Sequence, residues 1–452
     1  MSSYAELRAG PVAVHRFADR PGDELLAVFR DDMRTIRRVR ANVFVPPYHL
    51  PRDPSIGEEE IEVTEFRAPG QVAVARLTLL GVDEETVRAA LAEQLAQPRA
   101  PGSAEPLAGM RDGREFMSAR DRERLDELDA YLLAETERGD ELRASMGVDG
   151  WVQMLASSQE EPDVKFDMGI GGRSWLVEEL IDWDPRYALR AVLLAFPEAD
   201  VILAAANIGG AIEQPVTLPS GAMTAVSARA GVKVPVVVLT ESKTDAEFLT
   251  AGLRVVRPYL TDLIRFLDYE GSPEGGAGAL AGMIQAFAAA GIANRVVAVF
   301  GNDTDAADAI RKLDARVLPP QIQIIRYPDL NLGKAYPALG PATPELPDGT
   351  LPVANVNGLA GSIELYLGRD VLTRPDGILR PVRWTSYVPS MNRHQGQVDD
   401  KAAIHQEFRA KAKAALENPE NAERQDWSGL RLIIDAIYAA AQRASGSSDR
   451  ES

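Results

Sequence analysis

The chain has 452 residues, a formal charge of −18, four histidines and no cysteine. Without thiols there is no disulfide framework, no thiolate nucleophile and no cysteine-held zinc, and the histidines are scattered at His15, His49, His394 and His405. Any bound metal would be held by oxygen, which favours magnesium, manganese or calcium, and the acidic balance argues against non-specific coating of nucleic acid, because phosphate binding needs a local basic surface.

A hydrophobic fraction of 45% beside 26% charged residues is that of an ordinary globular protein, long enough for two or three domains. The start, MSSYAELRAGPVAVHRF, lacks the basic lead and continuous apolar core of a signal peptide. The most apolar stretch, Ala188 to Ile208, is interrupted by PEAD. The expectation is a cytoplasmic protein with no membrane span.

Residues 1–82 carry short apolar runs between turn signals, which predicts a β-rich, mixed α/β N-terminal domain with a helix starting near Asp23. From Asp83 the period changes. Val87, Leu91 and Leu95 share a helical face, a linker-like PRAPGSAEP spans 98–106, and Ser174 heads a further helix stopped by Pro185. A mostly helical region is therefore expected over 83–212, its apolar faces explained as core. Residues 232–390 alternate strands and helices: VVVLT (236–240), TDAEFLTAGLRVV, LIRFLD, the glycine-rich EGSPEGGAG, ALAGMIQAFAAAG, VVAVF (296–300), a helix through Ile310 and Leu313, QIQIIR, PVANV and GLAGSIELYL. That order predicts an α/β domain with a parallel sheet flanked by helices, and ligands beyond the carboxyl ends of its strands. Residues 391–452 are expected to form C-terminal helices and a disordered tail.

Acidic residues stand where those strands end. Glu241 follows VVVLT, with Asp245 one helical turn on; Asp303 and Asp305 follow VVAVF; Glu364 comes after PVANV. Carboxylates held close raise one another's pKa and cost stability unless a cation lies among them. A solvated turn explains one such pair. Acidic groups converging from three strand ends point to a Mg2+ or Mn2+ site that activates water and neutralises a phosphodiester. Basic residues crowd two places, Arg30 to Arg40 and Arg369 to Arg383, and the second makes Arg380, Arg383 and Arg393 candidates for nucleic-acid contacts at the sheet rim, with Lys401.

Glutamate after one strand and Asp-x-Asp after a later one resembles the Toprim domain of topoisomerases, primases and several nucleases. Within that superfamily, ESKTD resembles the Glu-x-x-x-Asp of the OLD nucleases (overcoming lysogenization defect), Ser362-Ile363-Glu364 matches their Ser-x-Glu, and Lys401 matches their later lysine. Over most of the chain, MSSYAELRAG, LLAVFRDD, ANRVVAVFGNDTDAADA, YPALGP and VNGLAGSIELYLG resemble bacterial proteins with a HEPN/Toprim N-terminal domain, discussed as defence genes. The resemblance implies a Toprim-like catalytic domain at 232–390, with Glu241, Asp245, Asp303, Asp305 and Glu364 as Mg2+ or Mn2+ ligands. It implies catalysis by Glu241, Asp303, Asp305 and Lys401, and nucleic-acid contact through Ser362. It further implies anti-phage defence acting on DNA more than RNA, with a partner protein from the same operon or self-association.

Two departures stand against the pattern. The family has an aspartate where this chain has Gly301. HEPN ribonucleases carry arginine and histidine four to six residues apart on a helix, but the nearest pair here, Arg8 and His15, encloses Gly10-Pro11, which forbids a helix. Other enzymes fit worse: an aspartyl phosphatase needs neither Glu241 nor the Ser-x-Glu, LGKAYP lacks the glycines and hydroxyl of a phosphate loop, and no G-x-G-x-x-G is present. Two readings remain open, a metal-dependent nuclease and a non-catalytic Toprim-fold module that binds nucleic acid or protein.

Overall fold

The computed structural model of the chain describes residues 3–17, 20–46, 50, 57–97, 117–158, 173–178, 180–207, 217–228, 235–267, 275–313, 318–340 and 352–444. The linker at 98–106, the first part of the glycine-rich segment (270–274) and the tail from 445 lie outside the described residues. The chain divides into two compact units, one of residues 1–78 with 82–226 and one of residues 79–81 with 227–452. Among the described residues no helix is long and apolar enough to cross a membrane.

The first unit is built on strands β1 (Ser3–Ala9), β2 (Val12–Phe17), β3 (Arg34–Arg40), β4 (Glu60–Ala68) and β5 (Val201–Asn207), ordered β2-β1-β5-β4-β3 and antiparallel throughout. The described residues of 83–212 are mostly helical (Glu84–Ala96, Ala119–Ser157, Arg173–Glu178, Pro185–Ala195), but the region also supplies strand β5, which was not expected. VILAAA (201–206) is a short unbroken apolar run, and periodicity alone cannot separate a buried strand from a buried helix there. It pairs with both β1 and β4, so the N-terminal sheet takes its middle strand from far along the chain and unites segments expected to be separate. The arginine cluster lies on the edge strand β3, where Arg37 pairs with Glu65, Arg38 with Glu62 and Arg40 with Glu58. Such exposed pairs contribute little to stability and are a solvated ion-pair face.

The second unit holds a four-stranded parallel sheet of β6 (Val236–Thr240), β7 (Ile264–Phe266), β8 (Val296–Phe300) and β10 (Ile322–Arg326), in the order β10-β8-β6-β7. The two apolar runs that end in acidic residues are therefore neighbours. All five residues of β8 are buried, as expected of a strand covered on both faces. Helices α1 (Ala277–Ala289) and α2 (Thr304–Leu313) pack Leu280, Ile284, Ala306 and Leu313 against Val296, Ala298 and Phe300. Helices α3 (Lys243–Val256) and α4 (Ser428–Arg443) pack on each other and complete the cover.

Short strands follow: β11 (Tyr336–Leu339), β12 (Val353–Ala354), and β13 (Ala360–Gly361), which pairs with β9 (Asn302–Asp303) just past the end of β8. A hairpin of β14 (Val382–Val388) and β15 (Arg393–Val398) leads into helix α5 (Lys401–Glu417). Only Val353 and Ala354 of PVANV form a strand, and they pair antiparallel with β11, outside the parallel sheet. Glu364 thus does not follow a strand of that sheet. It sits in a single 3-10 turn, Ile363–Tyr366, delivered to the sheet rim by the β13–β9 pairing.

Candidate active site

Glu241 is the first residue past β6, and its carbonyl oxygen accepts from the Gly276 amide at 2.7 Å. A Cβ at Gly275 would come within 2.9 Å of the same oxygen, so this glycine-rich turn serves close backbone approach. Across the rim, the Gly301 amide donates to Glu241 Oε1 at 2.6 Å. Asp303, 7% exposed, caps α2 by accepting from the Ala306 amide through Oδ1 at 2.9 Å. Its other oxygen turns toward Glu241: a Cβ built on Gly301 would lie 3.4 Å from Asp303 Oδ2 and 3.5 Å from Glu241 Oε1. Two carboxylates from neighbouring strand ends therefore face one point.

Asp245 and Glu364 form the adjoining half. Ser242 Oγ accepts from the Asp245 amide at 3.2 Å, capping α3 and setting Asp245 in its first turn. Glu364 is 3% exposed; its Oε2 accepts from Ser362 Oγ at 2.5 Å, and its Oε1 meets Lys401 Nζ at 3.3 Å and His405 Nε2 at 2.9 Å. Lys401 and His405 are one turn apart on α5. That helix is seated by Phe408 against Phe248 of α3, with ring centroids 4.7 Å apart, and His405 stands edge-on to the same Phe248 ring at 5.0 Å.

The electrostatics divide this cluster. Burial, and next the Asp303 charge, push the Glu241 carboxyl up to about 8, against the pull of the Gly301 amide. Burial and the Glu364 charge push Asp245 up to about 7 despite Ser242 and Lys401. Glu364 goes the other way: burial would raise it, but Lys401, Ser362 and His405 together hold it below the usual glutamate value. Tyr327, whose amide bonds the Phe300 carbonyl at 2.9 Å, is 3% exposed, and among the described residues its hydroxyl has no hydrogen-bond partner. Burial, then the charges of Asp245 and Glu241, raise its pKa well above the usual phenol value. Asn302 donates through Nδ2 to Asp329 Oδ1 at 2.8 Å, while its buried Oδ1 has no partner among the described residues.

Of the residues predicted for the site, Glu241, Asp245, Asp303, Ser362, Glu364 and Lys401 converge on this rim. Asp305 stands at the margin of the cluster: it is exposed and its amide bonds Gln395 Oε1 at 3.2 Å, yet burial and the Asp303 charge raise its carboxyl and its own charge helps to raise Glu241. Among the described residues no three acidic or histidine side chains form a ready-made ion cage, so the expected meeting of Glu241, Asp303 and Asp305 around one ion is not preformed. Arg380, expected on the nucleic-acid surface, is 3% exposed and bonded to the Val371 carbonyl and to Glu407 at 2.6 Å. It is a buried structural cation. Arg383 is exposed but pairs in two bonds with Asp399, at 3.0 and 2.9 Å. Arg393 is exposed at the start of β15.

Sequence reasoning missed His405, Tyr327 and Asn302. His405 was within reach, since it follows Lys401 by four residues. Nothing local marks Tyr327, which reaches the cluster through the pairing of β10 with β8.

The donor set fits a hard divalent cation. Glu241 and Asp303 could hold one directly with Asp245 nearby, and Tyr327 Oη, unpartnered among the described residues and within reach of the Asp245 and Glu241 charges, marks an unfinished polar site. Compared with known proteins, the chain matches no family model, no curated protein and no solved structure.

Proposed function

We propose that the chain is a Mg2+- or Mn2+-dependent phosphodiesterase of nucleic acid, of the Toprim/OLD type its motifs resemble, working in bacterial anti-phage defence. The observation that carries this is the facing of Glu241 and Asp303 from adjacent strand ends, with Glu241 pushed up to about 8. Such a pair is costly to ionise alone and is relieved by a divalent cation. Glu241 and Asp303 would hold the ion; when bound it supplies Lewis acidity toward water and phosphate.

The chain's own groups do the rest. Glu241 Oε1 is fixed by the Gly301 amide, leaving Oε2 to face the ion or a water beside it. Ser362 and His405 hold Glu364 ionised, and Glu364 in turn positions Lys401. The Lys401 side chain is 39% exposed, so its ammonium can meet negative charge developing on a phosphate oxygen.

A second reading, a Toprim-fold module that binds nucleic acid or a partner protein without cutting, is favoured by Gly301. The resemblance expects an aspartate there, and that position borders both carboxylates. Plasmid DNA and total RNA incubated with the pure protein and magnesium, manganese or chelator separate the two. Metal-dependent cleavage that disappears in Glu241→Gln supports the enzyme; binding without cleavage under either ion supports the module.

A further inference from the structure

We infer that the β14–β15 hairpin is a stacking platform for the bases of a single-stranded nucleic acid. This names the substrate class of the proposed site and rests on that reading. The register carries the first part of the argument. Trp384 faces Gly396, Ser386 faces Gln395 and Tyr387 faces His394, with a bulge between Trp384 and Ser386. In a regular strand, residues three apart point to opposite faces. The extra residue brings Trp384 and Tyr387 to the same face, with His394 between them at ring-centroid distances of 6.5 and 5.2 Å. Gly396 makes room for this row: a Cβ there would strike Trp384 Cε3 at 3.0 Å and Ala360 Cβ at 2.9 Å.

The row is open at Tyr387 and His394, with Trp384 half-buried, and is held in place. Tyr387 is 49% exposed, and its hydroxyl donates to Asn392 Oδ1 in the turn, where Asn392 adopts a φ of 51°. An exposed tyrosine whose ring is pinned by its own turn loses little freedom on binding. Charge points to the occupant. Residues 382–398 contain no aspartate or glutamate, in a chain whose formal charge is −18. Arg383 is neutralised by Asp399, but Arg393, exposed and in register with Val388, stands beside the Tyr387–His394 pair at the hairpin's edge. Aromatic faces with an arginine at their edge suit unpaired bases on a phosphate backbone, whereas duplex bases are already stacked and offer only their edges.

The platform also adjoins the carboxylates. Thr304 Oγ1 donates to the His394 carbonyl at 2.7 Å, Gln395 Oε1 accepts from the Thr304 amide at 2.9 Å, and Gly396 N donates to the Leu359 carbonyl at 2.9 Å. Ala360, against which Gly396 closes, is the strand partner of Asp303. A strand laid across the rings is thereby led to the Asp303 end of the site.

The test is fluorescence anisotropy of the full chain with labelled oligo(dT), oligo(rU) and a duplex of equal length, in chelator so that nothing is cut. Tyr387→Ala and Trp384→Ala should each weaken single-strand binding by roughly 5- to 100-fold, the scale of one lost base–ring stack. Tyr387→Phe and Trp384→Phe should retain it, which separates loss of the ring from loss of the fold. The two oligonucleotides show whether the bases come from DNA or RNA. Unchanged affinity in folded Tyr387→Ala, duplex binding as tight as single-strand binding, or no single-strand binding by the wild type would each overturn the platform. A wild type that binds oligo(dT) through Tyr387 yet cuts nothing with either metal would keep the platform and sink the phosphodiesterase reading. Cleavage by a protein whose affinity ignores Tyr387 would do the reverse.

Discussion

The Gly301 amide donates to Oε1 of Glu241 across 2.6 Å, tying the two central strands of the parallel sheet together at their carboxyl ends through a side chain that also faces Asp303. One oxygen of Glu241 serves the architecture and the other is left for chemistry. Glu241→Gln can keep the first role, because an amide oxygen still accepts the Gly301 N–H, but it loses the charge a hard cation requires. Thermal stability should survive, nucleic-acid binding in chelator should be largely unchanged, and cleavage should fall on the order of 10²–10⁴-fold. Lys401→Ala should slow cleavage with metal affinity nearly intact. Titration calorimetry alongside a nicking assay reads both, and a Glu241→Gln preparation that cuts at the wild-type rate would remove this site from the reaction.

The raised carboxyls predict an unusual pH dependence. Glu241 at about 8, from 4.5, and Asp245 at about 7, from 3.8, bind protons more tightly folded than unfolded. The stability they contribute is complete below the ordinary carboxylate values and is lost as pH rises toward those folded values. In chelator the Tm should therefore fall between about pH 5 and about pH 8. Glu241→Gln should flatten the decline, and Mg2+ should offset it at the alkaline end by binding only the folded site. A Tm that climbs over this range in chelator would contradict the burial of an uncompensated pair.

Tyr327 offers a separate check, since its buried hydroxyl has no partner among the described residues. An unsatisfied buried hydroxyl costs about 1–3 kcal/mol, so Tyr327→Phe should leave stability in chelator unchanged or higher. If the hydroxyl completes its hydrogen bonding only when the site is filled, the same variant should show a smaller Mg2+-induced rise in Tm than wild type. Loss of stability in chelator with an unaltered Mg2+ response would place the hydroxyl outside the site.

The pieces legible in sequence were those that local pattern dictates. VVVLT and VVAVF read as buried strands, they pair in parallel, and the acidic residues after them meet. Ser362, Glu364 and Lys401 also meet, though by another path: Glu364 arrives through β13–β9, a two-residue pairing that no periodicity announces. The middle strand of the first sheet was illegible because its run of six apolar residues, Val201 to Ala206, is compatible with either kind of element. Arg380 misled for a related reason. In sequence an arginine reads as surface charge, and its burial depends on Glu407, 27 residues away, and on the Val371 carbonyl. The aromatic face of the hairpin hinges on one bulge, which shifts Trp384 from one side of the strand to the other.

Gly301 tests the whole arrangement. Its φ is not in the left-handed range, and a Cβ would meet Asp303 Oδ2 at 3.4 Å, the Gly361 carbonyl at 3.4 Å and Glu241 Oε1 at 3.5 Å, so a side chain fits with at most a few tenths of an ångström of adjustment. Gly301→Asp would add a third carboxylate beside the other two. With chelator present, the added repulsion should lower the Tm by several degrees, roughly 2–4 °C per kcal/mol in a unit of this size. With Mn2+, the extra oxygen donor should tighten binding by about tenfold or more, equivalent to about 1.4 kcal/mol, and more than restore the lost Tm. Calorimetric titration with Mn2+ and thermal melts at matched pH measure the two halves independently. A variant destabilised in chelator and not rescued by metal would mean the carboxylates gather for a purpose other than an ion, and the binding-module reading would stand. A variant with neither effect would show that Glu241 and Asp303 do not share the space beside residue 301.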